Sequence, residues 1–289
     1  MTITLSVLGI GVLGPGLADW ATGRALLADP SAWQNTPTMV PAPQRLPATE
    51  RRRAGTVVKA SIGVADEALA AAKQGESAGA AAMQGAVAGA TAATAGLDAS
   101  TLPTVFTSST GDPANCHILC EALAAPERLV SPTRFTNSVH NAPAGYWHIA
   151  AQSRAPSTSL AAFDASFAAG LLEAAVQCAD TQAPVLLVAC DVPYPEPLQA
   201  VRPVADVFAV ALVLGPPGTG RQITVQTGAA AVPAACTHAG LEALRQGIPA
   251  ARALPLLQAL AGGVAAQSVL EGPPGLALLV HVMAHDSGP

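Results

Sequence analysis

The chain has 289 residues, a formal net charge of −5, 51% hydrophobic residues and only 11% charged ones. That length fills one large domain or two modest ones around a substantial core, and the acidic balance lacks the basic footprint of a nucleic-acid binder. Aromatics are 3% and the apolar excess is largely Ala, so a surface this poor in charge is expected to be covered by oligomerisation or a firm partner.

In chain order, ITLSVLGI (3–10) reads as a strand, GVLGPG as a turn and LADWATGRALL as a helix. No Lys or Arg precedes that first apolar run as in a signal peptide, and no segment approaches the roughly 18 apolar residues of a membrane span, so the chain is read as cytoplasmic. Five prolines between 30 and 48 make a loop. Thr49 is placed to cap a helix from Glu50 to about Lys73, with Val57, Val58, Ile62, Ala65 and Leu69 on one face. The Ala/Gly-rich stretch 75–98 fits either a loop or a tightly packed helix.

Further on, TVFTSST (104–110) reads as a strand and ANCHILCEALA as a helix. SPTRFTNSVHNAPAGYWHIAAQ holds most of the polar and aromatic character, with Asn137 placed to cap a helix from Ser138. STSLAA is a strand, DASFAAGLLEAAVQCAD a helix, and APVLLVACD (183–191) an apolar strand buried on both faces. Strands follow at 207–214 and 222–227, then a helix at 251–262 and a last strand in PGLALLVHVM. Alternating strands and helices over the first two-thirds give an α/β fold, and no linker separates independent domains.

Two motifs tempt toward nucleotides and neither holds. GIGVLG (9–14) has the glycine spacing of a dinucleotide turn, but the acidic residue at the right distance, Asp29, sits before a proline loop rather than at a strand end. A tight strand-to-helix turn is the simpler account. GPPGTGRQ (215–222) follows a strand like a phosphate loop, yet Arg221 and Gln222 stand where Lys and Ser/Thr belong, and RQITVQTG alternates like a strand, which makes a hairpin turn. The Cys residues at 116, 120, 178, 190 and 236 have no zinc spacing and no C-x-x-C. They read as buried thiols of a reducing compartment, although Cys116 and Cys120 share a helix face with His117 beside them. No cofactor and no metal is indicated.

The order of elements carries a resemblance. VLGIGVLGPGLADWATGRALLAD looks like the opening of a β-ketoacyl synthase; Asn141, followed by Ala144-Gly145, matches the Asn-x-x-Ala-Gly ahead of that family's active-site strand; STSLAAFDASFAAGLLEAA falls where the family carries its nucleophile elbow; and VLLVACD resembles the strand after it. The resemblance implies a single thiolase-like domain over 1–289, a layered α-β-α-β-α fold with a ketosynthase-like half at 1–191 and a shortened second half at 192–289. In the family, Ala-Cys stands at the elbow and its thiolate attacks an acyl thioester. Here Ala162 is followed by Phe163, which has no lone pair to attack with. Asp164 is expected as a helix cap, and Ser166 lies in the first turn with no evident base. The family's two histidine contexts are also missing, since His238, His281 and His285 stand in neither.

The chain resembles the cysteine-free chain-length-factor subunits of aryl polyene and xanthomonadin-type pathways. This implies a non-catalytic subunit that pairs with an active ketosynthase, bounds its acyl tunnel and works with acyl carrier protein, a homodimer being the other assembly. The segment 134–148 would lie at or near the interface, with Asn137, His140, Asn141, Tyr146 and Trp147. The residues alone favour hydrogen-bonded or packing roles for these side chains. They also favour a solvated helix start at Arg51, Arg52 and Arg53, with a dock for an acidic carrier as the sharper alternative. Two other functions stay open: an atypical condensing enzyme using Asp164, Ser166, Cys190 or a His, and a thiolase-fold binding or scaffold protein.

Overall fold

Strand β1 (Thr2–Leu13) runs three residues further than its sequence promised, because Gly9 and Gly11 lie inside it. A Cβ on Gly9 would sit 2.0 Å from the Ala68 carbonyl oxygen, and one on Gly11 2.1 Å from that of Val64. The G-x-G pattern therefore lets a helix press onto the strand, and the phosphate-turn and strand-to-helix-turn readings of it both fall. The chain reverses only at Gly14–Leu17, where Gly16 takes φ +68°. The computed structural model describes residues 1–83, 96–218 and 220–284, so 84–95 of the 75–98 stretch, Thr219 and His285 fall outside the described residues, while 75–83 are helical.

After β1 come helices α1 (Trp20–Ala28), α2 (Ala48–Arg53) and α3 (Thr56–Met83), then β2 (Thr104–Thr107), α4 (Pro113–Ala124), α5 (Pro132–Thr136) and α6 (Ala142–Ala151). Next are β3 (Ser157–Leu160), α7 (Ser166–Thr181), β4 (Val185–Asp191), α8 (Leu198–Val201), β5 (Phe208–Gly215) and β6 (Arg221–Ala229). The chain closes with α9 (Ala239–Gly247), α10 (Leu254–Gly262), β7 (Ala266–Glu271) and β8 (Leu276–Val282). The one helix expected from Glu50 is two. Thr49 caps nothing, Pro47 stands at the α2 N-cap position, and the chain breaks at Ala54–Gly55. There Gly55 lets Asp112 approach so closely that a Cβ would lie 2.5 Å from its carboxylate. Likewise Asn137 ends α5 rather than starting a helix, and α6 begins after Asn141, whose side chain makes no cap bond. Strand β7 and helix α9 had no expectation attached.

The strands form one eight-stranded sheet in the order β3-β2-β4-β5-β1-β6-β8-β7. Strands β3, β2 and β4 run parallel, and every other neighbouring pair is antiparallel. Strands β5 and β6 flank β1 and do not pair with each other; Gly215 at the end of β5 and Arg221 at the start of β6 lie opposite Ser6 and Val7, so the GPPGTG link between them crosses the middle of β1 and is no hairpin. Its Gly218 N–H donates to Ser6 Oγ at 3.0 Å.

Helices α1, α7, α9 and α10 pack on one face of the sheet, α3 and α6 on the other. Strands β4 and β5 are buried along their whole length, while β6, β7 and β8 alternate buried with exposed, so the later strands have one covered face. The sheet curls until its two edges flank α7: Asp164, just after β3, and Glu271, in β7, share the guanidinium of Arg252. Glu67 of α3 pins the other end of the core by accepting from the N–H groups of Val12 and Trp20, and burial pushes its carboxyl up to about 7. Cys178, Cys190 and Cys236 are buried as expected, but Cys116 and Cys120 are exposed on α4, whose opposite side buries Asn115 and Leu119.

Candidate functional site

The site is built at the junction of β3 and α7. Strand β3 pairs with β2, and beyond Leu160 the chain has five residues in which to turn into α7. It does so through a single 3-10 turn at Phe163–Ala165, with Phe163 at φ +53°. A bulky aromatic side chain in the left-handed region is strained backbone, and such strain persists only where neighbours hold it. Ser166, fully buried, is one of those neighbours: its hydroxyl donates to the Phe163 carbonyl at 2.6 Å and accepts from Ala162 N–H at 3.0 Å.

Arg202 is the second. Its guanidinium carbon lies 3.5 Å from the centroid of the Phe163 ring, while Nη2 donates to Asp164 Oδ1 at 2.7 Å and to Ser109 Oγ at 2.8 Å. Arg252 Nη2 takes the other Asp164 oxygen at 3.0 Å, and its Nη1 pairs with Glu271. Asp164 is therefore not a helix cap. The 3-10 turn puts it ahead of α7, where both its oxygens are held by guanidinium groups and neither is free to attack. Phe163 as a residue is nevertheless 66% exposed.

Behind Arg202, the turn Ser108–Thr110 links the elbow to two further side chains. Asp191, nearly fully buried, accepts through Oδ1 from Ser109 N–H at 2.7 Å, Thr110 N–H at 2.8 Å and the hydroxyls of Ser108 and Thr110 at 3.0 and 3.1 Å. Burial pushes its carboxyl above the usual range in spite of these donors, and Oδ2 is left without a partner. His140 Nε2 meets the Ser108 carbonyl oxygen at 3.1 Å. The neighbouring Cys190 is buried, and desolvation raises its thiol far above the ordinary range.

Phe163, Asp164, Ser166 and, through Ser108, His140 thus belong to one network. The remaining sequence candidates form a second group. Tyr146 OH donates to Asn137 Oδ1 at 3.1 Å, and Asn137 Nδ2 donates to the Arg53 carbonyl at 3.1 Å. Trp147 is fully buried with Arg45 5.7 Å over its ring, and Asn141 is exposed beside a small cleft of about 260 Å³ that Val139, Tyr146 and Ile149 also line. A larger cleft of about 500 Å³ opens between α2, α4 and α5, with Arg52, Arg53, Arg134 and Asp112 on its walls. Beside the elbow, Leu160, Ala168, Leu172 and Leu278 line an apolar cleft of about 340 Å³.

Arg202, Arg252, Ser109 and Asp191 were not singled out from sequence as site residues. Arg202 and Arg252 lie far along the chain from Asp164, beyond any local pattern. The available signal was scarcity, since in a chain with 14 Lys and Arg a half-buried arginine needs a carboxylate. Among the described residues, no three or more His, Cys, Asp and Glu gather as a metal-holding group, and no helix is long and apolar enough to cross a membrane.

This fold and elbow have relatives. The β-ketoacyl synthase N-terminal domain matches residues 81–267, well over half of the chain, and the chain belongs to that family. Its fold is the thiolase-like one. A chain of the ketosynthase (ApeO) in complex with its chain length factor (ApeC) from Xenorhabdus doucetiae superposes with a TM-score of 0.67 at 21% identity, covering 96% of this chain and 99% of that one. A chain of the ishigamide ketosynthase/chain length factor gives 0.67 at 12% identity, over 98% and 99%. A chain of AntDE:AntF, a type II acyl-carrier protein in complex with its ketosynthase bound to the hexaketide, gives 0.71 at 12%, over 98% and 100%. No curated protein matches the chain.

Proposed function

We propose that this chain is the non-catalytic, chain-length-factor-like partner of an active β-ketoacyl synthase, and that it bounds the acyl tunnel in polyene or polyketide-type synthesis. The observation that carries the reading is the elbow. Phe163 stands in the strained turn where the family's nucleophile is expected; Asp164 has both oxygens tied to arginines, and the Ser166 hydroxyl is engaged by its own turn. No attacking group is left at the strand-to-helix junction. The reading also takes support from length, because this chain and the matched chains of the two ketosynthase/chain length factor structures cover each other almost completely.

In this reading residues 1–191 are the ketosynthase-like half and 192–289 a shortened second half of one domain. The segment 134–148 faces the partner subunit, where Asn137 and Tyr146 fix the α5–α6 corner and His140 and Asn141 stay accessible. The acidic carrier protein approaches the cleft edged by Arg52, Arg53 and Arg134, and the complex works in the cytoplasm. The aryl polyene assignment leans on the likeness to a chain of the ApeO–ApeC complex. Co-expression with the ketosynthase encoded nearest to this chain's gene tests the pairing. A 1:1 heterodimer in native mass spectrometry is the expected result, and two separate populations would count against it.

A further inference from the structure

We propose that Phe163 is a preorganised aromatic anchor that inserts into the partner ketosynthase, with Arg202 as its positioning residue; this rests on the reading of the chain as a synthase partner. A side chain that merely filled a vacated active site would be expected to sit inside its own subunit. Phe163 is instead 66% exposed, on a backbone conformation that costs free energy to hold. The cost is met by contacts to its backbone and one face of the ring: Ser166 locks the peptide groups at 162 and 163, Arg202 lies beneath the ring, and Asp164 is clamped between Arg202 and Arg252. A rigid, exposed aromatic beside an arginine has the composition of a binding hot spot, and its rigidity removes the ordering cost that a mobile side chain pays on association.

The charges around it select the kind of partner. Arg202 and Arg252 are matched by Asp164 and Glu271, so the patch offers no unbalanced positive charge to an acidic carrier. The residues leading into Arg202 add apolar surface instead: Leu198 is 48% and Val201 79% exposed. A neutral patch with an aromatic at its centre fits an apolar pocket on another protein. The matched chains of this fold and length come from structures that hold a ketosynthase with its chain length factor, so the occupant we name is the ketosynthase subunit.

The test measures the affinity of the full-length chain for the ketosynthase encoded nearest to it. Phe163→Ala is expected to weaken binding by about 30-fold or more, the scale of a hot-spot truncation. Phe163→Asn, which tolerates the left-handed backbone, must weaken it equally, so that loss of the ring and not of the turn is what registers. Arg202→Gln is expected to weaken binding about fivefold, with Arg202→Lys restoring most of it through the retained cation. Val264→Ala, at an exposed position before the end of β7 opposite to Glu271, is expected to change nothing. Tight binding by the wild type together with unchanged binding by both Phe163 variants would overturn the anchor and leave the pairing intact. A wild-type chain that does not bind the ketosynthase would overturn both.

Discussion

Helix α7 is bracketed by two residues with the same unusual backbone. Phe163, ahead of it, and Gln182, just after it, both have φ +53°. At the C-terminal end this is how helices stop: the Gln182 N–H donates to the Cys178 carbonyl at 2.9 Å and the chain leaves through a left-handed residue. At the N-terminal end no cap demands it, and the residue is a large aromatic. There the surroundings commit a buried serine, two arginines and two carboxylates to holding the turn. Equal strain thus has unequal meaning. A left-handed residue marks a site only where neighbouring side chains are arranged to keep it.

The largest effect on this comparison comes from its shared middle. Gly170 lies about one turn into α7, between the two ends, and a Cβ there would meet Thr107 Cγ2 at 2.7 Å and Leu187 Cδ1 at 3.0 Å. Gly170→Leu is expected to destabilise by about 3 kcal/mol and to disturb both ends together, read as a lower denaturant midpoint. Arg252→Met separates the ends. It leaves Asp164 and Glu271 short of a cation in a half-buried setting and is expected to cost about 2 kcal/mol, between the values for exposed and buried pairs. Hydrogen exchange should then rise around 162–166 while 178–182 stays protected.

Ser166→Ala leaves the Ala162 N–H without its acceptor and is expected to cost about 1–2 kcal/mol, again at the elbow alone. The smallest change sharpens the contrast most. Gln182→Gly should stabilise the protein by about 0.5–1 kcal/mol, because glycine takes φ +53° without penalty. Phe163→Gly gains the same relief but loses the Arg202 stacking of similar size, so thermal melts should place it near the wild type.

How much of this could be read in the sequence follows from the range of the forces. Periodicity and small-residue turns placed most of the strands and the helix after the elbow, since those signals are local. The aromatic at 163 was visible against the small residues around it, and so was the lack of a nucleophile. The use of Gly9 and Gly11 was misread because the surface they accommodate, at Val64 and Ala68, belongs to a helix more than fifty residues away. Local spacing makes Asp164 a cap, whereas its partners come from residues 202 and 252. Asn137 was placed one helix too late because two short helices with a corner at 137–141 share one polar stretch. Strand β7 escaped because it pairs only with β8 at an edge and carries a weak alternation.

The central claim is that the elbow has lost its chemistry and that the subunit acts through a partner. Its most direct test is the intact mass of this chain and of the neighbouring ketosynthase after joint incubation with an acyl-carrier thioester. The account predicts an acyl adduct on the ketosynthase and an unmodified mass for this chain, with the two co-purifying. An acyl adduct on this chain incubated alone would contradict it and would direct attention to whichever of its own side chains carries the group.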